Sequence, residues 1–91
     1  YHLYAILADT YKNVLKAPEK SLEPFGRMLA FPNISAIDQC EIHLARAEAY
    51  ASLSRPGEAL KDVELGAQVC SRPADLAAMA EIRRTLGAPP P

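Results

Sequence analysis

Two amphipathic stripes meet at Ser54-Arg55-Pro56-Gly57-Glu58, and this junction restricts the fold more than any other feature of the chain. Before it, Leu44, Ala47, Tyr50, Ala51 and Leu53 recur at the three- and four-residue steps that place side chains on one helical face. After it, Ala59, Leu60, Val63, Ala67 and Val69 do the same. At the junction Ser54 suits an N-cap, Pro56 a first helical turn that tolerates a missing N–H, and Glu58 the positive end of the helix dipole. One helix must stop and the next start within a few residues, which predicts an αα-hairpin.

The same reasoning extends in both directions. Residues 2–16 carry a stripe of Leu3, Ile6, Leu7, Tyr11, Val14 and Leu15 that predicts a first helix, ended at Ala17-Pro18 because a residue before proline leaves the α region. A second helix is expected from an N-cap at Ser21, with Leu22, Phe25, Met28 and Leu29 buried, Pro24 in its first turn, and an end by Phe31-Pro32. Ser35 followed by Asp38 resembles a capping box, and the apolar pattern then runs unbroken to Leu53, a third helix of about 18 residues. Residues 74–86 give a fifth helix with Leu76, Met79, Ala80, Ile82 and Leu86 on its apolar side and Gly87 at its end. No stretch alternates like a strand. The expected architecture is all-α, two helical hairpins and one further helix.

Eight positions of the central stretch carry a resemblance. Ala47, Tyr50, Leu53, Ser54, Glu58, Ala59, Leu60 and Asp62 resemble, in identity and spacing, the tetratricopeptide repeat (TPR) motif. Tyr4, Leu7, Ala8 and Tyr11 are similar to the aromatic, Leu, small and Tyr positions of such a repeat's first helix. Gly66 stands where the family prefers Ala, and Pro73 comes two residues late. Ala8 lies 39 residues before Ala47, and Ala47 lies 33 before Ala80, against a repeat of about 34. The excess is assigned to the turn from Pro32 to Ile37 and the extended start of the third helix. The resemblance thus implies antiparallel hairpins stacked as a right-handed superhelical array of about five helices. Residues 1–34 form a degenerate repeat, 35–73 the best-matching one, 74–87 a third repeat's first helix or a cap, and 88–91 a proline-rich tail. Because Tyr1 rather than Met begins the chain, it is expected to be a piece of a larger protein.

The family's first helices line a concave groove. Carried over, the inward positions are Ala5, Asp9, Lys12 and Asn13, then Glu41, Leu44, Ala45, Glu48 and Ser52, then Ala77, Ala78, Glu81 and Arg84. Members that grip a C-terminal carboxylate do so with Lys, Asn and Arg at positions held here by Ala5, Asp9, Ala45 and Ala78, so that clamp is missing. Four acids, Asp9, Glu41, Glu48 and Glu81, face Lys12 and Arg84. The implied function is a protein-interaction scaffold or adaptor whose partner bears Arg or Lys beside apolar anchors; the bland alternative is a set of solvated helix-face charges. Tyr4, Leu7, Ala8, Tyr11, Ala47, Tyr50, Leu53, Ala59 and Ala80 are then structural, Ala47 and Ala80 at close helix contacts. A second expectation is a structural domain that packs on its own chain or forms homodimers, because solenoids usually need about three repeats.

Chemistry leaves few other openings. Lys and Arg number ten and Asp and Glu eleven, a net charge of −1, which argues against nucleic acid or an anionic membrane surface. No apolar run reaches membrane-spanning length. Cys40 and His43 share a helical face, but only His2 and Cys70 remain as further nitrogen and sulfur donors, so no metal or other cofactor is expected. A Cys40–His43 nucleophile pair lacks an orienting group and an oxyanion hole, and no catalytic motif is present, so no enzyme activity is expected. Both cysteines read as buried reduced thiols of an intracellular, cytoplasmic or nuclear, protein. Asn33-Ile34-Ser35 is a formal glycosylation sequon, which counts only in a secreted chain.

Overall fold

The computed structural model describes residues 2–87, so the expected tail at 88–91 lies outside the described residues. Helix α1 (His2–Asp9) runs into a π-helical turn, Thr10–Val14, and is followed by α2 (Pro18–Leu29), α3 (Ala36–Ser52), α4 (Pro56–Val69) and α5 (Pro73–Thr85). Among the described residues there is no strand. Neighbours in sequence are neighbours in space: α1 packs on α2, α2 on α3, α3 on α4, and α5 against both α3 and α4. The connection 30–35 is longer than those at 53–55 and 70–72, where the sequence placed its insertion.

Helix α3 is the centre, because it is covered on two sides. Ile42 and Ala45 face the first hairpin, in a cluster with Ala8, Phe25 and Met28. Cys40, Leu44 and Ala47 face the second, in a cluster with Val63, Cys70 and Met79. Two buried faces explain why the apolar pattern runs unbroken to Leu53.

Helix ends follow local chemistry, with several departures from the expected boundaries. Ser35 is extended, and its hydroxyl accepts from the Asp38 N–H at 3.1 Å, the N-cap half of the expected capping box. Ser54 does not cap α4. It has a φ of 58°, the left-handed conformation that closes a helix, and the next N–H, that of Arg55, returns to the Tyr50 carbonyl at 3.0 Å. Pro56 begins α4 and Pro73 begins α5 without a side-chain cap at either. Helix α2 starts at Pro18 rather than after Ser21; Ser21 is buried and donates to the Pro18 carbonyl at 2.6 Å. Pro24 therefore sits inside the helix, not in its first turn, and leaves the Lys20 carbonyl without its intrahelical N–H.

The first helix departs furthest from its expected stripe. Among the described residues only Ala8 is fully buried, while Leu3, Ile6, Leu7, Val14 and Leu15 are exposed, Leu3 at 75% and Val14 at 68%. Among the described residues this helix has a neighbour on one side alone, α2 and the face of α3 behind it, so an apolar stripe wider than that contact stays exposed. At the other end Ala80 is exposed, not at a close helix contact, and Met79 is the buried residue of α5. One residue is a rotation of about 100°, and α5 is covered on a single stripe by α3 and α4. Ala47 and Ala59 are fully buried, and Tyr4, Tyr11, Tyr50 and Leu53 are half-buried.

Gly66, the departure from the TPR pattern, has a steric reason. A Cβ there would lie 2.3 Å from the Met79 Cε and 3.1 Å from the His43 Cβ. The missing side chain is filled by a neighbour's, and α3, α4 and α5 close around this point.

The two cysteines correct the expectation of free thiols. Cys40 on α3 and Cys70 at the end of α4 are joined by a disulfide, with Cα atoms 5.0 Å apart. Sequence distance hid the pairing: the bond closes a loop of 30 residues that returns only because the hairpin folds back on itself.

Candidate functional site

The candidate site is an open groove of about 400 Å³ between the first helix and α3, floored by α2. Its apolar lining is Ala5, Phe25, Met28, Ile42 and Ala45, and its charged rim is Asp9, Lys12, Asp38, Glu41 and Glu48, with Asn13 beside them. Four carboxylates against one ammonium make the rim acidic.

Asp9, Lys12, Asn13, Glu41 and Glu48 are each held by a polar interaction. Asn13 donates to Asp9 at 2.7 Å across one helical turn. Lys12 spans the groove to Glu48 at 3.3 Å, which ties the π-helical turn to α3. Glu41 takes a 2.9 Å hydrogen bond from Arg72, whose Nε also donates to Asp75 at 2.6 Å, so the start of α5 is fastened to α3. The Arg72 guanidinium is held above its usual pKa by these hydrogen bonds, Glu41 first and Asp75 second. The π-helical turn carries Lys12 and Asn13, and such irregular turns recur where a helix serves a site.

Of the groove residues expected from sequence, the structure brings together Ala5, Asp9, Lys12, Asn13, Glu41, Ala45 and Glu48. It does not bring in Leu44, Ser52, Ala77, Ala78, Glu81 or Arg84. Leu44 turns the other way, into the core of the second hairpin. Ser52 closes the end of α3 by donating to the Glu48 carbonyl at 3.0 Å. Glu81 and Arg84 form a pair with each other on the exposed side of α5, and this hydrogen bond holds the Glu81 carboxyl below its usual pKa. Phe25, Met28, Asp38 and Ile42 were not expected in the groove. The first two belong to α2, a second helix of its hairpin, and the resemblance assigned the groove to first helices alone.

A second constellation escaped the sequence reading. Asp62 of α4 is only 2% exposed, and its carboxylate accepts from Arg46 Nε at 2.9 and 3.0 Å, from Arg46 Nη2 at 2.7 Å, and from His43 Nδ1 at 2.9 Å. Burial pushes the Asp62 carboxyl up, but the hydrogen bonds from His43 and Arg46, with the charge of Arg46, outweigh it and leave the pKa below its usual value. The signal was present in the spacing: Asp62 stands three residues after Ala59 and four before Gly66, on the buried face. An acid there requires a cation, and Arg46 supplies it from the neighbouring helix. The arrangement is a structural clasp. Cys40, one turn from His43, has its sulfur committed to Cys70 and is neither nucleophile nor metal ligand in this state. Among the described residues, no group of three His, Cys, Asp or Glu side chains is placed to hold a metal ion. No helix among them is long and apolar enough to cross a membrane.

Comparison with protein-family models, with curated proteins and with solved structures finds no match to this chain.

Proposed function

We propose that the chain is a TPR-like module, its hairpins stacked in the right-handed sense of that family, and that it serves as a non-catalytic protein-interaction scaffold or adaptor. The partner is a protein segment with Arg or Lys beside apolar anchors, seated between the first helix and α3. The observation that carries this reading is the groove itself, with an apolar floor of Phe25, Met28 and Ile42 under an acidic rim of Asp9, Asp38, Glu41 and Glu48. Such a groove rewards a segment that buries one or two apolar side chains while its cations meet the rim. The test is fluorescence anisotropy with short peptides that pair Leu or Phe with Arg. Glu48→Lys, which also opposes Lys12, is expected to weaken binding at least tenfold; Glu64→Lys on the exposed side of α4 is expected to leave it unchanged. Equal affinity in both variants would refute the groove.

A specific observation also favours a second reading, a structural domain that packs on further chain or on a second copy. Among the described residues, Leu3 and Ile6 of the first helix, Val14 of its π-helical turn and Leu15 after it are apolar and exposed. Under this reading Leu3→Glu with Val14→Glu abolishes self-association in sedimentation and leaves peptide binding intact. A cytoplasmic or nuclear location rested on reduced cysteines, and the Cys40–Cys70 bond removes that support.

A further inference from the structure

We propose that Asn33 is an N-glycosylation site and that the protein matures in an oxidising secretory compartment. Two observations carry this, the first of them in the turn between α2 and α3. Asn33-Ile34-Ser35 has the required hydroxyl two residues after the Asn and no proline between them. The fold presents it: Asn33 is exposed at the tip of the turn with a φ of 60°, a left-handed position in which Asn is enriched. Ile34 points inward to the core of the first hairpin, which fixes the turn, and Ser35 returns to the surface as the N-cap of α3. A glycan on the Asn33 amide therefore displaces no packed side chain.

The second observation is chemical and comes from elsewhere in the molecule. Cys40 and Cys70 are bonded, and structural disulfides form and persist in oxidising compartments while cytosolic thiols are kept reduced. Sequons are modified in the compartment where such bonds form, so the disulfide gives the Asn33 triplet a meaning that sequence alone does not.

In the transfer, the Asn33 Nδ2 attacks C1 of a sugar carried on a polyprenyl diphosphate. An N–C1 bond forms, the C1–O bond to the diphosphate breaks, the polyprenyl diphosphate leaves with that electron pair, and the amide loses one proton. Asp38 lines both the shallow depression at Asn33 and the partner groove, so the glycan stands at one end of that groove.

The test is peptide mapping of the full protein isolated from its native cells with thiols blocked at lysis. Treatment with an amide-cleaving glycosidase in ¹⁸O-water converts a glycosylated Asn33 to labelled Asp. The expected result is label at Asn33 together with a Cys40–Cys70 linked peptide. An unmodified Asn33 overturns the proposal, whether the cysteines are bonded or reduced. Two variants expressed from the same full-length gene separate the sequon from the helix cap, which share Ser35. Ser35→Ala is expected to lose the label, and Ser35→Thr, which keeps a hydroxyl for both roles, to retain it; loss in both overturns the assignment.

Discussion

Removing the Asp62 carboxylate is the most informative perturbation of the fold. In Asp62→Ala the Arg46 guanidinium and the His43 ring lose their shared acceptor while their side chains stay mostly enclosed, at 21% and 12% exposure. Breaking a buried pair by deleting one partner costs about 3–5 kcal/mol when the other charge is trapped. Arg46 has a fifth of its surface in water and can turn partly outward, so the expected loss lies near the bottom of that range, about 3 kcal/mol. Asp62→Asn keeps the shape and one acceptor oxygen but exchanges charged for neutral hydrogen bonds, and is expected to cost roughly 1–2 kcal/mol. The assay is urea unfolding of the disulfide-bonded protein by circular dichroism, with unchanged m as the check that only stability moved. For a domain of this size 1 kcal/mol corresponds to about 4–8 °C in Tm, so the Ala variant melts at least ~10 °C lower. Replacing the pair together, Arg46→Met with Asp62→Leu, is expected to recover most of the loss, because an apolar pair strands no charge. The pH dependence follows from the lowered Asp62 pKa. Its contribution is fully present above the unfolded carboxylate value of ~4 and fades as pH falls through the lower folded value, so the gap between wild type and Asp62→Asn closes only in acid. A loss below ~1 kcal/mol in Asp62→Ala, or a gap already closing near pH 6, would refute the clasp as a stabilising element.

Three further perturbations probe the packing around it. Replacing both cysteines by Ser opens a loop of 30 residues and is expected to cost about 3–4 kcal/mol by chain entropy, read from urea midpoints with and without reductant; a change below ~1 kcal/mol would mean the bond holds nothing the hairpin does not. Gly66→Ala gains helix propensity but crowds Met79 and His43, and is expected to lower stability by ~1 kcal/mol, whereas Gly57→Ala, with open space around it, lowers it not at all. Ala47→Leu, at a fully buried position inside the α3–α4 hairpin, is expected to cost ~1–3 kcal/mol by overpacking, and an unchanged Tm would contradict the packing of α3 against α4.

What could be read from the chain divides along physical lines. Number, type and order of the helices were legible because each depends on periodicity and on nearby breakers: Pro18, Ser35, Pro56, Pro73 and Gly87 mark the ends within a few residues. Exposure was less legible. The stripe on the first helix reads the same whether or not a neighbour covers it, and only the described packing reveals that Leu3 and Val14 face solvent. Met79 and Ala80 differ by one register step that depends on how α5 lies across two helices. Pairings across the hairpin were out of reach of local patterns: Cys40 meets Cys70, and Arg46 meets Asp62, through tertiary folding. The groove was half legible. Asp9, Lys12, Asn13, Glu41 and Glu48 line one open groove, while Phe25 and Met28 arrive from a helix the resemblance did not count, and Glu81 and Arg84 lie on a helix that lends the groove no side chain.

The most direct measurement of the proposed function is methyl NMR of the folded protein during titration with an Arg-bearing apolar peptide. Seating between the first helix and α3 predicts saturable shifts at the methyls of Ala5, Met28, Ile42 and Ala45. Shifts confined to the exposed Leu3, Ile6 and Val14 would contradict the groove and move the binding surface to those residues.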